Sequence, residues 1–230
     1  MSKRTVVALV TVGAVVVVAA TVAFAGPAFY RDVVVGAPDP APTVAGGSTT
    51  GATIAPADVQ GDWQAGAGSY AGYRVTEVLN GTRVTVDGRT EKVTGDVTVD
   101  EGSVTAASFT VDVGSIATSE GSRDSYFRNT AMQTFRYPTA TFTLTDPVAP
   151  ASPLREGAKQ TVIATGELTL AGTTRTVSVT MDAVFDGEKA QVAGRIPITF
   201  SDYGVQAPDL GFVKVDKSGL VEFSLVLTRR

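Results

Sequence analysis

The residues able to do chemistry in this chain are few, and their pattern favours holding a molecule over transforming one. Among 230 residues there is no histidine and no cysteine. That removes Ser-His-Asp and Cys-His nucleophilic catalysis, HExxH zinc sites, thiolate metal centres and disulfides. Acidic residues gather at Asp100-Glu101 and at Asp186-Gly187-Glu188. Both groups sit at turn signals, away from any nucleophile, so they read as solvated turns. No loop motif for calcium joins the scattered oxygen ligands, so no metal and no cofactor is expected. What remains is Ser122 to Phe142, SRDSYFRNTAMQTFRYPTATF, where Arg123, Arg128 and Arg136 surround Tyr126, Phe127 and Phe135. An arginine there is placed to bind a polar group while Phe127 and Phe135 line an entrance. The local alternative is that Asp124 pairs with Arg123 or caps the helical turn, and the aromatics plug the structure's end.

This cluster breaks the pattern of everything around it. It reads as one helical turn running up to Pro138, set in a chain rich in Val and Thr that alternates apolar and polar residues. Alternation of that kind marks β-strands. From Asp62 onward the strands are separated by Asn80-Gly81, Asp87-Gly88, Glu101-Gly102, Ala171-Gly172, Asp186-Gly187 and Ser218-Gly219. Such pairs are preferred in tight antiparallel hairpins. Eight or nine strands are expected, including 104–113, 140–145, 161–170, 174–185, 190–200 and 220–228. No long helical pattern alternates with them, so a βαβ sheet is excluded and an all-β barrel or sandwich remains.

The period of two also assigns inner faces. Phe142 and Leu144 share one; Leu168 lies with Val162, Ala164, Gly166 and Leu170; Val179 and Ala183 lie with Met181; Ile196 lies with Gly194; Phe223 lies with Leu225. In an earlier strand Glu77 has the parity of Tyr73 and Val75, which points its carboxylate inward. Small residues on these faces (Ala164, Gly166, Ala183 and Gly194) leave room inside. A solidly packed interior is the competing reading of the same rows.

Residues 1–30 form a separate unit. Lys3 and Arg4 precede an uncharged, Val- and Ala-rich stretch. As a helix, residues 6–24 would span ~28 Å, close to the thickness of a bilayer core. A retained signal anchor and a signal peptide cut after Ala23-Phe24-Ala25 both remain open, and the length favours the anchor. Either one exports the folded part. Residues 31–61 are rich in Pro, Gly, Ala and Thr and read as a flexible linker, followed by the barrel domain at 62–230. The net charge is only −4, with both signs interspersed. No basic footprint for nucleic acid appears.

Six ordered blocks resemble the YceI-like family of exported, lipocalin-like barrels. They are Trp63 with Gly68-Ser69-Tyr70-Ala71-Gly72-Tyr73-Arg74-Val75; Thr110 to Ile116; Arg123-Asp124; Tyr137 to Phe142; Gly166 to Leu170 with Gly172 to Arg175; and Phe200-Ser201-Asp202-Tyr203-Gly204. The resemblance covers essentially all of 62–230. Many members carry a histidine in the first strand region and another in a Gly-Leu-Thr-Leu-His-Gly segment. Here that segment reads Leu170-Ala171-Gly172, so any contact that depends on histidine is lost.

The resemblance implies an eight-stranded antiparallel barrel with one short helical segment, binding an amphiphilic lipid, in particular a polyisoprenoid, without covalent chemistry. With such a barrel, the inward faces and the 122–142 cluster assign the tail to Tyr73, Val75, Phe127, Phe135, Phe142, Leu144, Leu168, Val179, Ala183, Ile196, Phe223 and Leu225, and the head group to Glu77 and Arg123. The expected partners are that lipid and, through the N-terminal helix, the membrane, with the barrel on the extracytoplasmic side. The alternative is a packed barrel that serves the cell envelope as an interaction module and has no internal ligand.

Overall fold

The computed structural model describes residues 37–46, 51–79, 81–209, 211 and 213–230. The apolar segment expected as an anchor or signal lies outside the described residues. Among the described residues no helix is long and apolar enough to cross a membrane.

Alternating Val, Thr and aromatic residues build one antiparallel sheet of ten strands: β1 (Gly61–Ala65), β2 (Tyr70–Leu79), β3 (Thr82–Thr90), β4 (Val93–Asp100), β5 (Ser103–Asp112), β6 (Thr139–Leu144), β7 (Gln160–Leu170), β8 (Thr173–Phe185), β9 (Lys189–Thr199) and β10 (Val213–Arg229). The long β10 pairs with β2 through Ser224↔Tyr70 and, further along, with β1 through Leu227↔Ala65. On the other side β1 pairs with β4 and β2 with β3. So β1–β2 and β3–β4 are each a single wall strand with a break. The ten segments close as an eight-stranded barrel.

The first break is chemically specified. Gly68 takes φ +89, and the Ser69 hydroxyl replaces a ladder partner by accepting from the Val226 backbone N–H at 3.0 Å. A glycine tolerates that φ and a serine oxygen satisfies the orphaned donor. The Glu101-Gly102 and Ala171-Gly172 turns form as expected, with both residues of each pair at positive φ. Two other expected turns do not. Asp87-Gly88 lies inside β3, where Gly88 makes room for the Tyr73 ring on β2: a Cβ there would stand 2.8 Å from the ring edge. Ser218-Gly219 lies inside β10 at a register shift between Val215 and Gly219. Here the glycine serves close approach, not chain reversal.

The linker expectation also needs correction. Residues 37–46 lie as a strap on the outer wall, and 51–60 pack beside it through the Thr53–Arg155 bridge and a one-turn helix, Pro56–Val59. The strap covers charges that β2, β3 and β10 place on their outer faces. Arg74 donates from Nε to Glu222 at 2.8 Å and from Nη2 to the Asp39 carbonyl at 2.8 Å. Asp39 accepts an ion pair from Arg89 at 3.3 Å, and its backbone N–H donates to Asp87 at 3.0 Å. Glu222 is 1% exposed beneath this cover. Proline-rich composition signalled a spacer, but paired charges on the wall hold this one down.

Inside, the core has two clusters. One gathers Trp63, Phe185, Val97, Leu225 and Leu227 where β1 closes the ring. Trp63 meets Phe185 edge-on at 5.8 Å and donates its indole N–H to the Val59 carbonyl at 2.9 Å. The second cluster gathers Val113, Ile116, Met132, Leu168, Leu170, Ile196 and Tyr203 beneath the helical turns.

Candidate functional site

Between and above these clusters the barrel is hollow. An inner cavity of about 200 Å³ and an outer one of about 460 Å³ share Ala71, Val111, Ala140, Leu170 and Val221 in their walls, so they adjoin along the barrel. Among the described residues, Thr141 is the only polar one lining the inner part. The outer part adds polar groups from Glu77, Glu120, Ser122, Arg123 and Gln206.

The inner cavity is lined by Phe142, Leu144, Leu168, Val179, Ala183, Ile196, Phe223 and Leu225 from five neighbouring strands. Its size is set by rings as much as by small residues. Beside Gly166, a Cβ would stand 2.4 Å from the Phe142 ring; beside Gly194, 2.6 Å from the Phe223 ring. The room expected at these two glycines is therefore filled by aromatic rings folded across the sheet, a cross-strand arrangement that suits glycine. Ala164 and Ala183 do face open space.

The outer cavity is roofed by a helical turn, Gly121–Tyr126, that runs on as a wider π-type turn, Phe127–Ala131. Asp124 is buried and ties the turn to the preceding loop, accepting from the Thr118 backbone N–H at 2.9 Å and its hydroxyl at 2.8 Å. The capping oxygen belongs to Glu120, which accepts from Ser122 N–H. Asp124 thus neither caps the turn nor pairs with Arg123. Arg123 instead reaches across the opening to Glu77, Nη2 to Oε1 at 3.1 Å. Glu77 is 6% exposed. Phe127 stacks on Tyr73 with ring centres 4.8 Å apart and planes 20° from parallel. Burial pushes the Tyr73 phenol well above its ordinary range; the Arg123 charge opposes this, while Asp124 and Glu77 add to it. At neutral pH this ring presents an un-ionised hydroxyl.

Tyr73, Val75, Glu77, Arg123 and Phe127 therefore meet at the outer cavity. Phe135 does not. The chain reverses at Gln133, φ +48, and leaves the Phe135 ring fully exposed, outside both cavities. Lining residues that sequence reasoning passed over include Val93, Val97, Phe109 and Val111 on β4 and β5, whose alternation is legible. Met132, Tyr203 and Val205 come from turns, where no period marks an inner face.

The family model of the YceI-like domain matches residues 64–227. This chain belongs to the YceI-like family. Its fold resembles a polyisoprenoid-binding domain from Saccharophagus degradans, with a TM-score of 0.59 at 18% identity over 74% of this chain and 98% of that one. It also resembles BcnA of Burkholderia cenocepacia, with a TM-score of 0.53 at 26% identity over 67% of this chain and 95% of that one. No curated protein matches it in sequence. In this YceI-like chain, Tyr137 packs where a side chain at Gly172 would project.

Proposed function

We propose that this chain is a lipid carrier whose barrel encloses the tail of an amphiphile, in particular a polyisoprenoid, and that it acts outside the cytoplasm. The observation that carries the reading is the pair of adjoining cavities inside a closed barrel, the inner one apolar and the outer one lined by the polar groups under the roof. Taking an isoprenoid tail out of water gains ~25 cal/mol for each Å² of apolar surface removed. The polyisoprenoid-binding neighbour adds support by likeness of fold. Export, with the domain held at the membrane or released from it, is supported by Lys3 and Arg4 ahead of a long apolar stretch. A solidly packed interaction module calls for an interior filled by its own side chains, which the two cavities do not favour. No covalent step belongs to the proposal.

Native mass spectrometry of the full chain purified from a bacterial host, followed by organic extraction, tests it. A stoichiometric adduct with the mass of an isoprenoid lipid is the expected result. A bare chain that stays bare after incubation with polyprenyl lipids would overturn the reading.

A further inference from the structure

The outer cavity is built for one kind of head group. Two carboxylates, Glu77 and Glu120, and one guanidinium, Arg123, line the outer cavity. The charge of the guanidinium is already matched: its Nη2 donates to Glu77 Oε1 at 3.1 Å, and both side chains are largely buried. Among the described residues the other Glu77 oxygen accepts no hydrogen bond from the protein, and the Tyr73 hydroxyl makes none. A ligand therefore meets a buried anionic acceptor and a phenol. It does not meet a free cation.

We propose, on the basis of the lipid-carrier reading, that the site selects an uncharged head group that donates a hydrogen bond, such as an alcohol or phenol, and rejects a phosphorylated one. A hydroxyl can donate to the open Glu77 oxygen while leaving the Glu77–Arg123 pair intact. A phosphate would bring further negative charge to a wall where Glu77 and Glu120 already face a single guanidinium, and any hold it took on Arg123 would weaken the one on Glu77. Stripping one partner from a buried ion pair and placing like charges together are both strongly unfavourable. Discrimination comes from this repulsion as much as from the hydroxyl's own bond.

The test compares geranylgeraniol with geranylgeranyl phosphate, which share one tail, on the full chain by native mass spectrometry and competition. The expected result is at least about tenfold tighter retention of the alcohol, the equivalent of about 1.4 kcal/mol. In Glu77→Gln, Arg123 becomes free and the preference should shrink or invert. Glu120→Gln lies at the edge of the roof and should narrow the gap by a smaller factor while keeping the fold. Equal retention of both lipids by the unaltered chain, or preference for the phosphate, would overturn the head-group assignment and leave lipid carriage standing. Retention of neither would defeat lipid carriage and this assignment together.

Discussion

The Phe223 ring on β10 lies over Gly194 on β9, so close that a Cβ at Gly194 would stand 2.6 Å from the ring's Cζ. The two residues face each other directly in register. Gly194→Ala must push the ring toward the inner cavity, which Phe223 lines. Overpacking of this kind costs about 1–3 kcal/mol. Both a lower urea midpoint and a reduced capacity for a C20 lipid are expected, the second read by mass spectrometry.

Filling the cavity from the wall should separate binding from folding. Ala183 and Leu168 line the inner cavity. Ala183→Phe and Leu168→Trp add volume where a tail would lie, so lipid retention should vanish while the chain still gives a β-sheet circular dichroism spectrum. Lipid retained by both variants would count against an internal site.

The outer wall carries its own wager. Glu222 is buried against Arg74 at 2.8 Å, and its second oxygen has no hydrogen-bond partner among the described residues. The Glu222 hydrogen bond in turn raises the Arg74 pKa above its ordinary value. Arg74→Ala leaves a buried carboxylate without its closest cation and should cost roughly 3–5 kcal/mol. The double variant Arg74→Leu with Glu222→Leu should recover most of that loss in urea unfolding.

Acid should weaken the β7–β8 pairing through one carboxylate. Asp182 accepts from the Thr161 hydroxyl at 2.6 Å and pairs with Lys159 at 3.1 Å. The Thr161 hydrogen bond first, and Lys159 with it, hold its pKa below the ordinary carboxylate value, against a smaller opposing effect of burial. A depressed carboxylate stabilises the fold above its unfolded pKa of about 4 and loses that contribution as pH falls through the lower folded value. The groups are partly exposed, so the effect should not exceed about 1 kcal/mol. Urea midpoints measured from pH 6 down to pH 2 should show it, and Asp182→Asn should flatten that part of the curve.

Much of the wall was legible before any coordinates. Strands β2 and β5 to β9 follow from alternating Val, Thr and aromatic residues, and their inner faces follow from a period of two. What escaped was the work of glycines that do not turn the chain. Gly88 and Gly219 look like hairpin signals, yet they sit within strands because a ring from another element needs their missing side chain. The site divides in the same way. Wall residues such as Val179 and Ile196 were readable from their strands, whereas Tyr203 and Met132 reach the outer cavity from turns. Phe135 was misplaced because a residue at φ +48, two positions earlier, turns the chain outward. The Pro-rich run was misread for another reason. Composition predicts poor burial, but it does not register a wall of charges that needs covering.

The closing seam of the barrel has a consequence for how it fills. The first strand, β1, seals the ring against the far end of the last, β10. Contacts this distant along the chain form late and slowly. Without the β1–β10 and β2–β10 pairings the sheet would be an open trough with its apolar lining facing solvent. If the proposed lipid is present as that seam forms, it would cover the lining, and capture and closure would be one event. Loading would then depend on when the protein folds beside the lipid, and the polar groups under the roof would govern chiefly release.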